Sequence, residues 1–373
     1  MLPYQRMKNH VERGSLCRIV VLALALMFQL KVQVTASSSS CHCCNHNNPT
    51  KIFLLDGQSN MVGQGSIEHL RELIADPATR NNYQQYWNDT SQDWAQRQDV
   101  YAKFDQHMGP LTVGYGSPAS KNKKQGHIGP ELTFGWVLGD TLCDCCETKK
   151  KQPIMVLKTA YGGRDLAIDF RPPSSGRGHF PGVKPVHYGW EYRQMIADIQ
   201  DALEHVIPKL IPGYSQDDGY ELAGYVWFQG WNDLIDDAKV KEYGVNLANL
   251  IRDVREDLDA PDMPFIVGEL GMHGIDPQGR ARERILAMRN AEKDVTLMDE
   301  FRNNTLFVPT SPYVVSNGTQ YNGEYHYYGR ADTYCKIGHA FGEAMLALMT
   351  DDRRQAMSRA YSSLRSSQFI KVS

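Results

Sequence analysis

A serine follows the first apolar segment of the chain, in the sequence Gly57-Gln58-Ser59-Asn60-Met61. The apolar run at residues 51–55 predicts a buried strand, which places the serine in the turn at the end of that strand. There the hydroxyl would be exposed and the backbone N–H would point at a bound oxyanion, as a nucleophile requires. The alternative is that Ser59 caps the next helix.

Two further strand ends carry groups that could stabilise a negative charge. Gly162 and Gly163 follow the apolar run at residues 154–158 and would let backbone N–H groups approach a ligand, although a double glycine also forms plain turns. Asn232 follows the run at residues 222–228 and could donate its side-chain amide to a developing oxyanion, although an Asn-Asp pair also favours turns. Ligands of parallel sheets bind beyond the carboxyl ends of the strands, so we expect these groups to lie near Ser59.

A histidine lies shortly before the last helical segment, in the sequence EYHYY at residues 324–328. A lone histidine among aromatic residues is commonly a packed surface residue. Combined with Ser59, the glycines and Asn232, however, His326 completes a set of groups for acyl transfer, in which it removes the serine proton and returns it to the leaving alcohol. The hydrolase motif G-x-S-x-G is absent because Met61 occupies its last position, which indicates a different class of serine hydrolase.

These blocks, in their order, resemble the SGNH hydrolases of the sialate O-acetylesterase type, close to the acetylxylan esterases of carbohydrate esterase family six. The resemblance covers residues 51–349, nearly all of the chain after its leader. It implies an SGNH fold and an esterase without metal or organic cofactor. It also implies these roles: Ser59 as nucleophile and oxyanion donor, Gly163 ahead of Gly162 as backbone oxyanion donor, Asn232 as side-chain oxyanion donor, and His326 as base.

One position departs from the family pattern. The last block is usually D-x-x-H, but Gly323 stands three residues before His326. We predict that Glu324, two residues before the histidine, orients it, because a glutamate reaches one methylene further than an aspartate. Asp332 and Asp299 are the other candidates, and a serine–histidine dyad assisted by a backbone carbonyl is the remaining alternative.

Residues near these blocks are predicted to bind the substrate. Three of them have an alternative role. Glu131 could serve only the dipole of the helix that it opens, Arg164 could pair with Asp165, and Trp231 could pack in the core. The predicted substrate-binding residues are Gln58, Glu131, Arg164, Gln229 and Trp231.

The elements that must position these residues alternate between strand and helix. Apolar runs predict strands at residues 51–55, 154–158, 222–228, 264–268 and 295–298, and periodic segments predict helices at 131–142, 191–206, 240–258, 280–292 and 334–349. This alternation predicts a three-layer α/β/α fold, flavodoxin-like, with a mostly parallel five-stranded sheet. Residues 81–124 are polar and predicted to form a long surface insertion, and residues 171–185 a Pro/Gly loop.

The first 36 residues resemble a secretory signal. Four basic residues precede an apolar run at residues 19–30, and Val34-Thr35-Ala36 provides a small-residue cleavage pattern. The run is short for a membrane span, so a cleaved signal is favoured over a signal anchor. Three N-x-T sequons, at Asn88, Asn303 and Asn317, are compatible with secretion. The predicted organisation is a signal peptide at 1–36, a cysteine-containing segment at 37–50, an esterase domain at 51–350 and a polar tail at 351–373.

Cysteine use also indicates an oxidising compartment. Two C-x-C-C clusters about 100 residues apart predict disulfides that join the N-terminal segment to the end of the helix at residues 131–142. The alternative is a thiolate metal site, which the spacing disfavours because neither cluster has the C-x2-C pattern of zinc ribbons. The cysteines after the leader are Cys41, Cys43, Cys44, Cys143, Cys145, Cys146 and Cys335.

The sequence as a whole predicts a secreted serine esterase that removes O-acetyl groups from carbohydrates. A formal net charge of −3 without a basic cluster excludes nucleic acid as a partner by bulk electrostatics, and no membrane association is expected after signal removal. The alternatives are a serine hydrolase of other esters and a non-catalytic carbohydrate-binding relative. The sequence does not identify the acetylated glycan or the oligomeric state.

Overall fold

The computed structural model describes residues 49–118, 126–142 and 153–350. The predicted signal peptide, the two C-x-C-C clusters with their disulfides, and the polar tail lie outside the described residues. Among the helices within the described ranges, none is both long and apolar enough to cross a membrane. Cys335, the one cysteine in these ranges, is a buried thiol.

The central sheet has seven strands, and six longer helices accompany it. The strands are β1 Thr50–Gly57, β2 Val100–Phe104, β3 His107–Pro110, β4 Ile154–Lys158, β5 Tyr220–Phe228, β6 Phe265–Gly268 and β7 Thr305–Val308. The longer helices are α1 Ile67–Ala75, α2 Glu131–Leu142, α3 Trp190–Asp201, α4 Asp237–Asp257, α5 Arg282–Thr296 and α6 Ala331–Met349. Short helices cover Ser59–Val62, Ile207–Leu210 and Trp231–Leu234, a π-helical stretch covers Ala202–Val206, and short two-stranded ladders pair Gly65–Ser66 with His127–Ile128 and Trp87–Asn88 with Asp93–Trp94.

The strand order across the sheet is β7-β6-β5-β1-β4-β2-β3. Every neighbouring pair is parallel except β2 and β3, which form an antiparallel hairpin at one edge. β1 lies in the middle, and its apolar residues are buried without alternation, as expected for a parallel strand covered on both faces. The predicted mostly parallel α/β/α class is confirmed.

Side-chain contacts from β5 show that helices cover both faces of the sheet. On one face, Phe228 packs edge-on against Phe341 of α6. On the other face, Tyr225 contacts Met195 of α3, and Trp227 donates a hydrogen bond to the hydroxyl of a tyrosine on α4. Helices α2 and α6 also approach each other closely: a Cβ at Gly338 of α6 would lie 2.2 Å from Oγ1 of Thr133 on α2.

The strand count and two predicted segments are wrong. Residues 295–298 are not a strand, because Val295 continues the buried helical face of α5 that includes Ile285 and Met288, and the edge strand is Thr305–Val308 instead. Residues 81–124 are not only a surface insertion, since they contribute β2 and β3 to the sheet. The buried start of β2 is a short apolar stretch inside a polar segment, which hid its strand character.

Candidate active site

Ser59 lies at the carboxyl end of the central strand. β1 ends at Gly57, whose φ is +148° and where a Cβ would lie 2.1 Å from the carbonyl oxygen of Phe228, so the tight turn requires glycine. Ser59 is the first residue of the short helix that follows, and Gln58 occupies the capping position. Ser59 is therefore not the N-cap residue.

The structure brings Ser59 and His326 together. The distance from Ser59 Oγ to His326 Nε2 is 2.9 Å, a hydrogen-bond distance suited to proton transfer from a nucleophile to a base. Asn60 anchors the histidine segment, because its Nδ2 donates to the carbonyl oxygen of Tyr325 at 3.0 Å and its Oδ1 accepts from the hydroxyl of Tyr334 at 2.7 Å. Asn60, the residue after the serine, thus fixes the backbone at Tyr325, the residue before the histidine.

Glu324, the predicted orienting acid, contacts a different histidine. Its Oε1 lies 3.1 Å from Nδ1 of His273, and half of its side chain is exposed. The segment from Glu324 to Gly329 is a kinked turn rather than an extended strand, because Tyr327 and Tyr328 have positive φ angles, and the side chains of Glu324 and His326 contact different partners. The prediction that Glu324 orients His326 is therefore corrected: its carboxylate serves His273.

The other two candidate acids form ion pairs with arginines. Asp332 forms a two-pronged ion pair with Arg330, with distances of 3.0 and 3.2 Å from the guanidinium nitrogens. Asp299 pairs with Arg302 at 3.3 Å on the surface. The geometry thus gives the Asp332 carboxylate a structural partner at the start of α6.

The predicted oxyanion groups are connected to the turn that carries Ser59. Gly162 is adjacent to the serine, since a Cβ there would lie 3.9 Å from the Cβ of Ser59. Gly163 has a φ of +74°, which favours glycine, and its carbonyl oxygen accepts a hydrogen bond from Asn232 Nδ2 at 2.9 Å. This bond uses one of the two hydrogens of the Asn232 amide, and the second is available to a ligand oxygen.

Gln58 orients the Asn232 amide instead of facing the substrate. Only 1% of Gln58 is exposed, and its Oε1 accepts from the backbone N–H groups of Gly230 and Asn232 at 3.1 and 3.3 Å. Because backbone N–H groups can only donate, these bonds identify the oxygen end of the Gln58 amide. Its Nε2 then donates to Asn232 Oδ1 at 3.1 Å, which turns Asn232 Nδ2 away from Gln58. The predicted substrate contact of Gln58 is corrected to this positioning role.

Gln229 is likewise buried. Its hydrogen-bond network reaches the loop that follows β4 and contains Gly162 and Gly163, called here the glycine loop. Its Nε2 donates to Gln58 Oε1 at 3.1 Å and to Asp233 Oδ2 at 2.7 Å, so a direct substrate contact is not its role. The Asp233 carboxylate also accepts the N–H groups of Leu166 and Ala167 at 2.8 and 2.9 Å. Burial, and after it the nearby Asp165 carboxylate, raise the pKa of Asp233 to about 7. Sequence reasoning missed this residue, whose only signal was the Asn-Asp pair.

The match to known families decides the assignment of the chain. Residues 49–347 match the family described as carbohydrate esterase, sialic acid-specific acetylesterase. The chain belongs to this family. The resemblance inferred from the sequence is therefore confirmed, as is the enzyme class, because this is a family of carboxylic ester hydrolases.

Individual relatives of this esterase-family chain are distant. A probable carbohydrate esterase of Arabidopsis thaliana is 38% identical over 48 residues, which are 13% of this chain and only 18% of the relative. A solved structure of an Arabidopsis thaliana protein has a TM-score of 0.51 at 17% identity and covers 81% of this chain and 100% of that one, which shows a shared fold. A carbohydrate acetylesterase from Xanthomonas citri has a TM-score of 0.43 at 14% identity and covers 80% of this chain and 56% of that one.

In this member of the carbohydrate esterase family, Glu131 is buried at the start of α2, 2% exposed. Its Oε2 forms an ion pair with Lys158 Nζ at 2.8 Å, and its Oε1 accepts the N–H of Gly129 at 2.8 Å. Lys158 also donates to the carbonyl oxygens of Val62 and Tyr115, and burial lowers the pKa of its ammonium group. The predicted substrate contact of Glu131 is therefore corrected to a structural ion pair. Its partner, Lys158, was not predicted from the sequence.

Arg164 and Trp231 remain accessible. Arg164 is partly exposed but ion-paired, with 2.8 Å from its Nε to Glu191 and 3.5 Å from its Nη1 to Asp169. Trp231 opens the short helix after Gly230, and its ring stacks on Tyr325 with a centroid distance of 5.7 Å. The alternative interpretation, in which Arg164 pairs with Asp165, is not what the structure shows, because Asp165 pairs with Lys239 and Arg164 with Glu191 and Asp169.

Proposed function

We propose that this chain is a serine esterase that removes O-acetyl groups from a carbohydrate. The observation that carries the proposal is the 2.9 Å contact between Ser59 Oγ and His326 Nε2, beside the oriented amide of Asn232. His326 accepts the Ser59 proton as the oxygen attacks the acetyl carbonyl, and then gives it to the departing sugar hydroxyl. This leaves an acetyl group on Ser59, which water removes with His326 again as the base.

The oxyanion of each tetrahedral intermediate would be held by three kinds of donor. These are the backbone N–H of Ser59, a backbone N–H of the loop at Gly162 and Gly163, and the free hydrogen of Asn232 Nδ2. The positive φ of Gly163 and its bond to Asn232 support this arrangement, since they fix the loop and the amide relative to each other. Preorganised donors of this kind lower the barrier because they do not reorganise during the reaction.

The test is acetate release from a small aryl acetate. Ser59→Ala and His326→Ala should each abolish turnover while the far-UV circular dichroism stays that of the wild type. Ser91→Ala, in an exposed turn, is a matched serine control and should retain wild-type kcat. A Ser59→Ala variant that keeps more than about a tenth of the wild-type kcat would contradict the proposal.

We further infer that the esterase is secreted and glycosylated. In support, the sequon residues Asn88, Asn303 and Asn317 are all exposed, and exposure is what an attached glycan requires. The leader at residues 1–36 and the cysteine clusters agree with this route. Expression of the full chain in a secreting eukaryotic host should release into the medium a protein whose mass falls after N-glycosidase treatment. Retention inside the cell would contradict secretion.

A further inference from the structure

Four rings lie in a row that begins at the proposed catalytic base. The ring of Tyr325 packs edge-on against His326 with a centroid distance of 4.4 Å, and Trp231 stacks on Tyr325 at 5.7 Å with an interplanar angle of 30°. The ring of His273 contacts Trp231 in turn, with a centroid distance of 5.8 Å. We call His326, Tyr325, Trp231 and His273 the ring row.

The ring row is accessible where it leaves the catalytic residues. Tyr325 is 43% exposed, although its backbone is fixed by the hydrogen bond from Asn60 to its carbonyl oxygen. Large aromatic side chains exposed next to a reactive group commonly mark a ligand-binding surface. The C–H faces of pyranose rings are apolar and pack on such aromatic surfaces, while the surrounding hydroxyls remain hydrated.

The charges beside the ring row do not suit an anionic ligand. Glu324 is half exposed and its Oε1 lies 3.1 Å from Nδ1 of His273, so a carboxylate lies at the His273 end of the row. The positive charge of Arg164, on the glycine loop, is balanced by ion pairs with Glu191 and Asp169. A carboxylate-bearing sugar would meet like charge at Glu324, whereas a neutral sugar would find hydrogen-bond acceptors.

We propose that the ring row is a subsite for a neutral oligosaccharide, and that it holds the sugar units next to the acetylated one. This proposal rests on the proposed esterase function and specifies its substrate class. Binding along the ring row would orient the chain so that one acetyl ester reaches Ser59. The carboxylate of Glu324 would accept hydrogen bonds from sugar hydroxyls at the His273 end of the row and disfavour acidic sugars.

Binding can be measured apart from catalysis. In the Ser59→Ala background, titration with an unacetylated neutral oligosaccharide should change tryptophan fluorescence and give a measurable Kd. Tyr325→Ala should weaken this Kd about threefold to tenfold, the range expected for loss of one stacked ring. Tyr325→Phe keeps the ring and should restore the wild-type Kd. Tyr220→Ala is the matched control, because Tyr220 is also 43% exposed but begins β5, at the opposite end of the strand from Asn232 and the proposed site.

Turnover provides a second readout, with three substrates: a small aryl acetate, an O-acetylated neutral oligosaccharide and an O-acetylated sialoside. For Tyr325→Ala, the kcat/KM ratio of the neutral oligosaccharide to the aryl acetate should fall about threefold to tenfold, and Tyr220→Ala should leave the ratio unchanged. The kcat/KM of the wild type should be higher for the neutral oligosaccharide than for the sialoside. Glu324→Gln should reduce the ratio of these two kcat/KM values.

The outcomes separate the subsite from the esterase function. If aryl acetate turnover depends on Ser59 but Tyr325→Ala changes neither the Kd nor the ratio, the subsite is wrong and the esterase stands. The subsite would also be overturned if Tyr220→Ala changed the Kd and the kcat/KM ratio as much as Tyr325→Ala does, or if the wild type preferred the sialoside. If aryl acetate turnover does not depend on Ser59, the proposed function fails, while the fluorescence titration still decides whether the ring row binds neutral sugars.

Discussion

Replacing Gln58 with glutamate should disable Asn232 without touching it. The change retains Oε1, which accepts the N–H groups of Gly230 and Asn232, but replaces the Nε2 donor by an oxygen. That oxygen would face Asn232 Oδ1 at the present 3.1 Å, and two acceptors at this distance repel each other. The Asn232 amide is then expected to rotate by half a turn, which breaks its bond to Gly163 and turns its oxygen toward the oxyanion.

The expected cost follows from the loss of one oxyanion donor. Removing such a donor lowers kcat by roughly 10²–10³, about 3–4 kcal/mol of transition-state stabilisation. We therefore expect Gln58→Glu to lower kcat by that factor and to change KM by less than about threefold, because the amide acts mainly on the transition state. Steady-state kinetics with an aryl acetate measures both values.

A double-mutant cycle distinguishes this relay from general damage to the fold. Asn232→Ala alone should lower kcat by roughly 10²–10³, and adding Gln58→Glu should then have less than about threefold further effect. The matched control is Asn246→Asp on α4, which converts an equally buried amide to an acid. It should lower the free energy of unfolding but not kcat. If Gln58→Glu has the same effect with and without Asn232, the reasoning is refuted.

Three further predictions concern buried acids. Glu131→Gln should lower the free energy of unfolding in urea by about 3–5 kcal/mol, because Lys158 Nζ would remain buried without its carboxylate, and adding Lys158→Met should recover part of that loss. Asp332→Asn should destabilise the start of α6 but keep kcat within about threefold, since its carboxylate binds Arg330; a hundredfold loss would identify it as the orienting acid. Asp233→Asn should weaken the pH dependence of stability. The raised pKa of Asp233 means that the folded state holds the proton more tightly, so unfolding free energy falls by up to about 4 kcal/mol from pH 4 to pH 7; an unchanged slope in the variant would contradict this.

Local sequence predicted the positions of Ser59, the glycine pair and Asn232 because each follows a buried strand. The run at residues 51–55 predicted β1 and the turn at Ser59, and the parallel order of the sheet brings the ends of β4 and β5 beside it. Segments without a distinct pattern were harder to predict. Val295 belongs to an apolar run as short as a strand, but the helix α5 continues through it because its earlier buried residues repeat every three to four positions.

The partners of the buried polar residues could not be predicted from local sequence. Gln58 and Asn232 are 174 positions apart, and the hydrogen bond between them depends on the register of β1 against β5, which pairs Gly57 with Phe228. Glu324 is the carboxylate nearest to His326 in the sequence, but the kinked turn from Glu324 to Gly329 directs it to His273. Spacing along the chain determines such contacts only where the secondary structure is already known.

The three residues around the nucleophile connect the parts of the proposed catalytic site. Gln58, before the serine, orients the amide of Asn232, and Asn60, after it, holds the segment that carries His326. Ser59 itself contacts the imidazole. Because these three side chains leave one short turn in different directions, the donor, the nucleophile and the base are aligned by a single backbone segment. A change in the geometry of that turn would therefore displace all three at once, which gives a physical reason for the G-Q-S-N sequence at this strand end.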